Sequence, residues 1–217
     1  MTDGLGPGET YDRIAAHFSA TREYAWPEVE TFLDGRDGRR ALDLGCGNGR
    51  HAELLAARTE TVVGFDLSRG LLGEARSRAA ERGFDVGLVQ GDAAGLPFRP
   101  DRFDLAVYVA TLHHLRPRSR RLGSLDELAR VLAPGGRALV SAWATVHDRF
   151  AEEYGDADAG FDTHVDWTLP GGETVPRFYH IYAPAEFRAD LDASALSPVD
   201  VFLSSGNCYA VVGPASG

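Results

Sequence analysis

Between Asp43 and Gly49 the chain reads Asp-Leu-Gly-Cys-Gly-Asn-Gly, an acid followed by glycines at three alternate positions, Gly45, Gly47 and Gly49. Glycine admits positive φ and lets backbone N–H groups approach a ligand with no Cβ in the way, which suits a loop that cradles a nucleotide. The spacing is G-x-G-x-G, whereas a dinucleotide site wants G-x-G-x-x-G. Asp66 follows Gly47 by 19 residues, the separation at which an acid can accept hydrogen bonds from both hydroxyls of a ribose. Asp92 can accept from an adenine amino group. A helix-capping role for Asp66 and a turn role for Asp92 stay open on spacing alone.

The elements needed to position these groups follow from the pattern of apolar residues. Arg40–Leu44, Thr61–Asp66, Asp85–Gln90, Phe103–Ala110 and Arg137–Trp143 read as strands, and Phe103–Ala110 is apolar enough to be covered on both faces. Helices are expected over Arg50–Arg58, Arg69–Arg82 with Ser68 as its cap, and Ser119–Leu132, stopped by Pro134-Gly135-Gly136. Strands and helices alternating at this spacing make a parallel sheet with right-handed crossovers. Its ligand belongs beyond the carboxyl ends of the strands, where strand order reverses. That places the 43–50 loop, Asp66, Asp92 and Ala110–His114 around one crevice.

Ahead of the sheet, Tyr11, Ile14, Ala15 and Phe18 recur at helical spacing, and Glu28–Leu33 follows Trp26-Pro27 as a second helix. Residues 1–38 are thus an N-terminal helical cap and 39–143 the core. Residues 144–178 break the rhythm with Asp156, Asp158, Asp162, Asp166, Gly171 and Gly172, and are expected to be a long, partly mobile insertion over the site or a disordered loop. Residues 179–213 bring a last helix, Ala185–Leu191, and a closing hairpin of Val199–Leu203 with Cys208–Val212. The whole reads as one domain.

Composition bounds the function. The 217 residues hold 22 basic side chains, all arginine, and a net charge of −10. Arginine without lysine beside many aspartates suits a GC-rich genome and a high-salt cytosol, so a halophilic archaeon is the expected source and the acidity is read as solvation. Such a surface repels polyanions, and any nucleic-acid contact must rest on local arginines, stacking or shape. No run of some twenty apolar residues marks a membrane span. Met1–Glu9 does not have the basic-then-apolar pattern of an export signal, so the expected location is cytoplasmic. Cys46 and Cys208 fit a reduced compartment and are too few for a zinc site.

The Gly45–Gly49 loop, Val63-Gly64-Phe65-Asp66, Asp92, Phe103-Asp104 and Leu132-Ala133-Pro134-Gly135-Gly136 together resemble the ordered motifs of class I S-adenosylmethionine (SAM) methyltransferases. That resemblance implies a Rossmann-like fold with a seven-stranded, mostly parallel sheet whose last strand is antiparallel. It also implies SAM as cofactor, with S-adenosylhomocysteine as product. The implied cofactor residues are Asp43, Gly45, Cys46, Gly47, Asn48, Asp66, Leu67, Asp92, Ala93 and Ala110.

A narrower resemblance lies outside those motifs. Tyr11-Asp12-x-Ile14-Ala15-x-His17-Phe18-Ser19-x-Thr21-Arg22, Trp26-Pro27, His113-His114-Leu115 with Arg120-Arg121, Leu128-x-Arg130-Val131-Leu132, and Arg177-Phe178-Tyr179-His180 look like the tRNA wobble-uridine carboxymethyl methyltransferases. The family often has Lys-Tyr where Arg50-His51 stands, and Tyr in place of Phe178, which leaves the acceptor less defined than the chemistry.

The implied reaction esterifies the carboxylate of 5-carboxymethyluridine. Its acceptor is already an anion at neutral pH, with a pKa of about 4, and needs no general base. Arg22 and Arg177 would clamp it bidentately, with His17, His113, Tyr179 and His180 shaping the pocket. Arg22 could instead pair with Glu23 or Glu28, His17 could be core, and one of His113 and His114 could be a packed histidine. The histidine spacing makes no metal site. Arg116, Arg118, Arg120 and Arg121 could grip tRNA phosphates or simply be a solvated helix start. The family also implies a small zinc-bearing activator that adds a strand to the sheet edge at 85–90. A small-molecule O-methyltransferase and a non-catalytic SAM-binding module are the alternatives.

Overall fold

The computed structural model describes residues 6–215. The first residues of the expected cap, including part of Met1–Glu9, and the last two residues of the chain lie outside that range. The strands β1 (Gly38–Leu44), β2 (Thr59–Asp66), β3 (Gly87–Gln90), β4 (Phe103–Tyr108), β5 (Leu132–Trp143), β8 (Leu196–Ser204) and β9 (Asn207–Pro214) form one sheet in the order β3-β2-β1-β4-β5-β9-β8. The pairs from β3 through β5 are parallel, and β9 runs antiparallel to both β5 and β8. This is the Rossmann-like arrangement expected above. Strand order reverses between β1 and β4, whose register sets Ala41 beside Leu105 and Asp43 beside Val107.

Helices α3 (Arg50–Ala56), α4 (Arg69–Arg82), α5 (Arg118–Val131) and α7 (Pro184–Asp192) cover the two faces. Strand alternation sends Leu42, Leu44, Phe65 and Tyr108 to one core with Leu128 and Phe187, while Leu105, Val107, Leu139 and Tyr209 form another with Leu55, Val29 and Phe32. Burial on both faces is why β4 shows no polar alternation. At β5 the strand starts five residues before the expected Arg137. The Pro134-Gly135-Gly136 segment is carried inside the strand, with Gly135 at φ 81° and a register shift opposite Phe103–Leu105.

Helix α1 (Pro7–Ala20) and helix α2 (Pro27–Leu33) precede the sheet. Asp12 Oδ1 accepts from Ser68 Oγ at 2.6 Å and from the Gly70 N–H at 2.7 Å, so α1 is pinned to the start of α4 beside the glycine loop.

The segment expected to be a mobile or disordered insertion is folded. After a short helix α6 (Ala151–Tyr154), strands β6 (Phe161–Thr168) and β7 (Thr174–Ile181) pair antiparallel as a hairpin. Period-two alternation explains it: Val165, Trp167, Val175, Arg177, Tyr179 and Ile181 are buried, while Asp162, His164 and Asp166 face out. Of the acids read as loop composition, Asp162 and Asp166 are the solvated face of a strand, while Asp156 and Asp158 lie in the turn before it. Ile14 of α1 packs on Trp167 and Val175, and the boundary expected between residues 178 and 179 falls inside β7. No helix among the described residues is long and apolar enough to cross a membrane.

Candidate active site

Above the carboxyl ends of β1, β2 and β4 lies a cavity of about 790 Å³ lined by the glycine loop, the hairpin and α1. Gly45, Gly47 and Gly49 take φ of 74°, 52° and 77°, the left-handed region that other residues enter only with strain. A Cβ on Gly45 would stand 2.0 Å from Thr111 Oγ1. Asp66, at the end of β2, accepts from the Gly47 N–H at 2.8 Å through Oδ2 and from the Ser68 N–H at 2.9 Å through Oδ1. A carboxylate has about four acceptor positions, so each oxygen keeps a lone pair. Burial pushes the Asp66 carboxyl up, against those two N–H bonds.

Cys46, Leu67, Ala93 and Ala110 also line the cavity. Ala110 sits at φ 55°, held by its N–H to Ser141 Oγ at 3.1 Å. Asn48 lines it too, but its amide is spent on Arg22 O at 2.9 Å, tying the loop to the α1–α2 connection. Asp43 is placed differently from the expectation: it is absent from the cavity wall and buried behind the loop, with Oδ2 lacking a hydrogen-bond partner. Burial and the neighbouring Asp66 charge push its carboxyl up to about 7.

The other half of the cavity is cationic and aromatic. Arg177 is 8% exposed and makes no ion pair with any carboxylate among the described residues; its Nη1 donates to Tyr179 Oη at 2.6 Å and its Nε has no partner. Its guanidinium lies 4.9 Å from the centroid of Trp167, and that of Arg22 lies 5.3 Å from the same indole. Arg22 pairs with neither Glu23 nor Glu28 and lines the cavity. Trp167 is oriented by its Nε1–H to His17 Nδ1 at 3.0 Å, which makes His17 a support.

Both histidines of the 113–114 pair line the cavity and are neutral. His113 Nδ1 accepts from the Trp143 N–H at 2.9 Å, leaving its proton on Nε2. His114 Nδ1 donates to Phe178 O at 2.8 Å, so its Nε2 accepts from Tyr11 Oη at 2.9 Å. Burial holds His113 well below the usual histidine range and His114 at about 4.

Several expected site residues are elsewhere. Strand parity turns His180 away from Arg177 and Tyr179: it pairs with Asp162 at 2.7 Å and Glu186 at 3.0 Å and leaves the cavity. Of the basic run, Arg121 is 4% exposed and packed over Tyr182 beside Glu186 and Asp190, out of reach of a phosphate. Arg118 pairs with Asp190 at 2.6 Å and Arg120 pairs with Asp92. Despite partial burial, Arg120 and the Ala94 N–H hold the Asp92 carboxyl below the usual range, so Asp92 reaches the cavity already paired. Arg116 remains unpaired by acids among the described residues and lies over Phe178 at 4.7 Å. Trp167, Trp143, Asn207 and Tyr209 line or support the site without having been singled out. Only the hairpin alternation carried any signal for them, at Trp167.

Residues 41–136 match the model of a family described as a methyltransferase domain. The chain is 37% identical over 177 residues to a putative methyltransferase of Encephalitozoon cuniculi, covering 79% of this chain and 78% of that protein. The chain belongs to the class I SAM-dependent methyltransferases. This methyltransferase is also 33% identical over 162 residues to the tRNA (carboxymethyluridine(34)-5-O)-methyltransferase of Schizosaccharomyces pombe, covering 74% of this chain and 67% of that one. With the enzyme of the same name from Arabidopsis thaliana it shares 39% over 135 residues, spanning 62% of this chain but 31% of that longer protein. Among solved structures, a DhpI–SAM–HEP complex superposes with TM-score 0.73 at 24% identity, covering 98% of this chain and 100% of that one. The putative methyltransferase complexed with the Haloferax volcanii Trm112 activator gives 0.70 at 17%, covering 98% and 99%. Both share the fold.

The cofactor of the methyltransferase is SAM, and the residues in place fit it. The loop carries no Cβ at three positions, Asp66 has free acceptor capacity at the cavity wall, and the aromatic rings of Phe18 and Tyr11 face the same space.

Proposed function

We propose that the methyltransferase esterifies the carboxylate of 5-carboxymethyluridine at the tRNA wobble position, in the cytoplasm. The observation that carries this reading is Arg177, a buried guanidinium without a counterion among the described residues, on the wall of the SAM cavity. Leaving a buried cation unpaired is costly, and an acceptor carboxylate arriving in the cavity supplies the missing partner. When bound, SAM supplies an electrophilic methyl on a sulfonium.

The chain's own residues do the rest. Arg177 and Arg22 hold the acceptor oxygens, Trp167 keeps both guanidiniums in place, and Tyr179 fixes the direction of Arg177. A carboxylate is ionised at neutral pH, so the neutral His113 and His114 have no proton to take and act as walls. Alignment of this kind is worth about 7–11 kcal/mol. Arg116, which no acid among the described residues pairs, is the member of the basic run left to meet tRNA phosphates. Strand β3 stands at the sheet edge, where a small zinc-bearing activator would add a strand.

Incubation of carboxymethyluridine-bearing tRNA with SAM, with and without such an activator, followed by mass spectrometry of the nucleosides, tests the proposal. A methyl ester on the wobble uridine is the expected product. No ester in either condition, with SAM bound, overturns it.

A further inference from the structure

The cavity is also lined by a second group of polar side chains that the transfer itself does not use. His51 is 5% exposed and its Nε2 has no hydrogen-bond partner; Tyr209 is fully buried and its hydroxyl has none either. Both residues line the cavity, with Asn207 and Ser205 beside them. Their rings pack edge-on against Trp26, at centroid separations of 6.3 and 6.4 Å, so the two orphaned atoms belong to one aromatic cluster. The nearest polar neighbours of Tyr209, Glu28 and Ser141, each make other bonds. Glu28 Oε1 accepts from Ser204 at 2.6 Å, and Ser141 Oγ accepts from the Ala110 N–H.

A buried polar atom without a partner costs about 1–3 kcal/mol, and two of them on residues that line one cavity mark a place where a ligand completes the bonding. The charge state selects the ligand class. Burial, with Arg50 and Arg78 nearby, keeps His51 neutral, and burial keeps Tyr209 protonated. Two neutral hydrogen-bonding groups beside an indole suit a neutral, flat partner better than an ion.

We propose that His51, Tyr209 and Trp26 form a subsite for the neutral imide edge of the acceptor's pyrimidine, with the Tyr209 hydroxyl donating to a ring carbonyl and His51 Nε2 meeting the imide N–H. This rests on the esterification reading and extends it: Arg177 reads the charged arm of the acceptor, and this subsite reads its base. Specificity of this kind follows because an acceptor lacking the imide leaves both buried groups unpaired.

The test is binding of uridine, which has the imide but no carboxylate, to the full chain saturated with S-adenosylhomocysteine, followed by NMR titration. Wild type should bind uridine and not N3-methyluridine. Tyr209→Phe, which keeps the ring and the core, should weaken uridine about tenfold with S-adenosylhomocysteine affinity unchanged, and Arg177→Ala should bind uridine as wild type does. The subsite is overturned if wild type does not bind uridine, if Tyr209→Phe binds it equally well, or if the same substitution weakens the cofactor product. Failure of the esterification reading shows separately, as uridine binding without methyl ester formation on carboxymethyluridine.

Discussion

Three weak supports stand around the buried Arg177 guanidinium in place of a carboxylate: the face of Trp167, the face of Tyr179 and the Tyr179 hydroxyl. Cation–π contacts are worth about 0.5–2 kcal/mol each, enough to orient the group and too little to neutralise it. Arg177→Ala should therefore lower kcat/KM for carboxylate methylation about 10²–10³-fold, the loss typical of a missing charge-stabilising donor, while calorimetry finds the SAM Kd unchanged. Asp43 gives a second residue-scale expectation. Burial and the Asp66 charge raise its carboxyl to about 7, against 3.8 for an ordinary aspartate, so the folded chain holds a proton that the unfolded chain has released between those values. Stability thus falls as pH rises through that window, by up to about 4 kcal/mol. Asp43→Asn removes the ionisation, so in thermal melts of the SAM-free protein its stability relative to wild type should improve from pH 5 to pH 8. A difference that stays flat with pH would contradict this.

At the scale of elements, the hairpin of β6 and β7 is what turns two arginines far apart in sequence into one site. Trp167, 8% exposed, touches Arg177, Arg22, Phe18 and His17. Trp167→Ala should cost about 3–5 kcal/mol of stability by the usual cavity penalty and, in the folded fraction, abolish discrimination for a carboxylate acceptor before it weakens SAM. The glycine turn is the complementary case. Gly45→Ala forces a Cβ against the Thr111 side chain at φ 74°, so loss of SAM binding with the sheet intact by circular dichroism is the expected outcome. The hairpin was legible in part: Val165, Trp167, Val175 and Arg177 alternate inward while Asp162 and Asp166 alternate outward. Acid and glycine content masked that alternation, since composition is insensitive to which face a residue occupies. The same parity would have removed His180 from the site, because it sits one residue from both Tyr179 and Ile181 and cannot share the face of Arg177.

The whole molecule carries a net charge of −10, so a polyanion approaches only where arginines are unpaired. Arg121 is a structural cation beside Glu186 and Asp190: Arg121→Ala leaves Asp190 with Arg118 as its remaining ion-pair partner, and a destabilisation of about 1–3 kcal/mol in denaturant titrations is expected. Arg116→Ala should leave the melting temperature unchanged and reduce the magnitude of the log–log salt slope of tRNA binding by about 0.7–0.9, one phosphate's worth. Swapped phenotypes for the two substitutions would reverse these assignments.

What the chain determines by itself is local: three alternate glycines that need positive φ, an acid at the end of β2, apolar strands at crossover spacing, and so the fold and the cofactor loop. These depend on neighbours in sequence, and spacing records them. Which arginines are free was decided by tertiary structure alone. Arg177 and Arg121 are the same residue, and only the packing of the hairpin, α5 and α7 leaves one lining a cavity without a carboxylate and presses the other against Asp190 and Glu186. Coulomb interactions and desolvation depend on distance in space, and sequence separation does not record that distance.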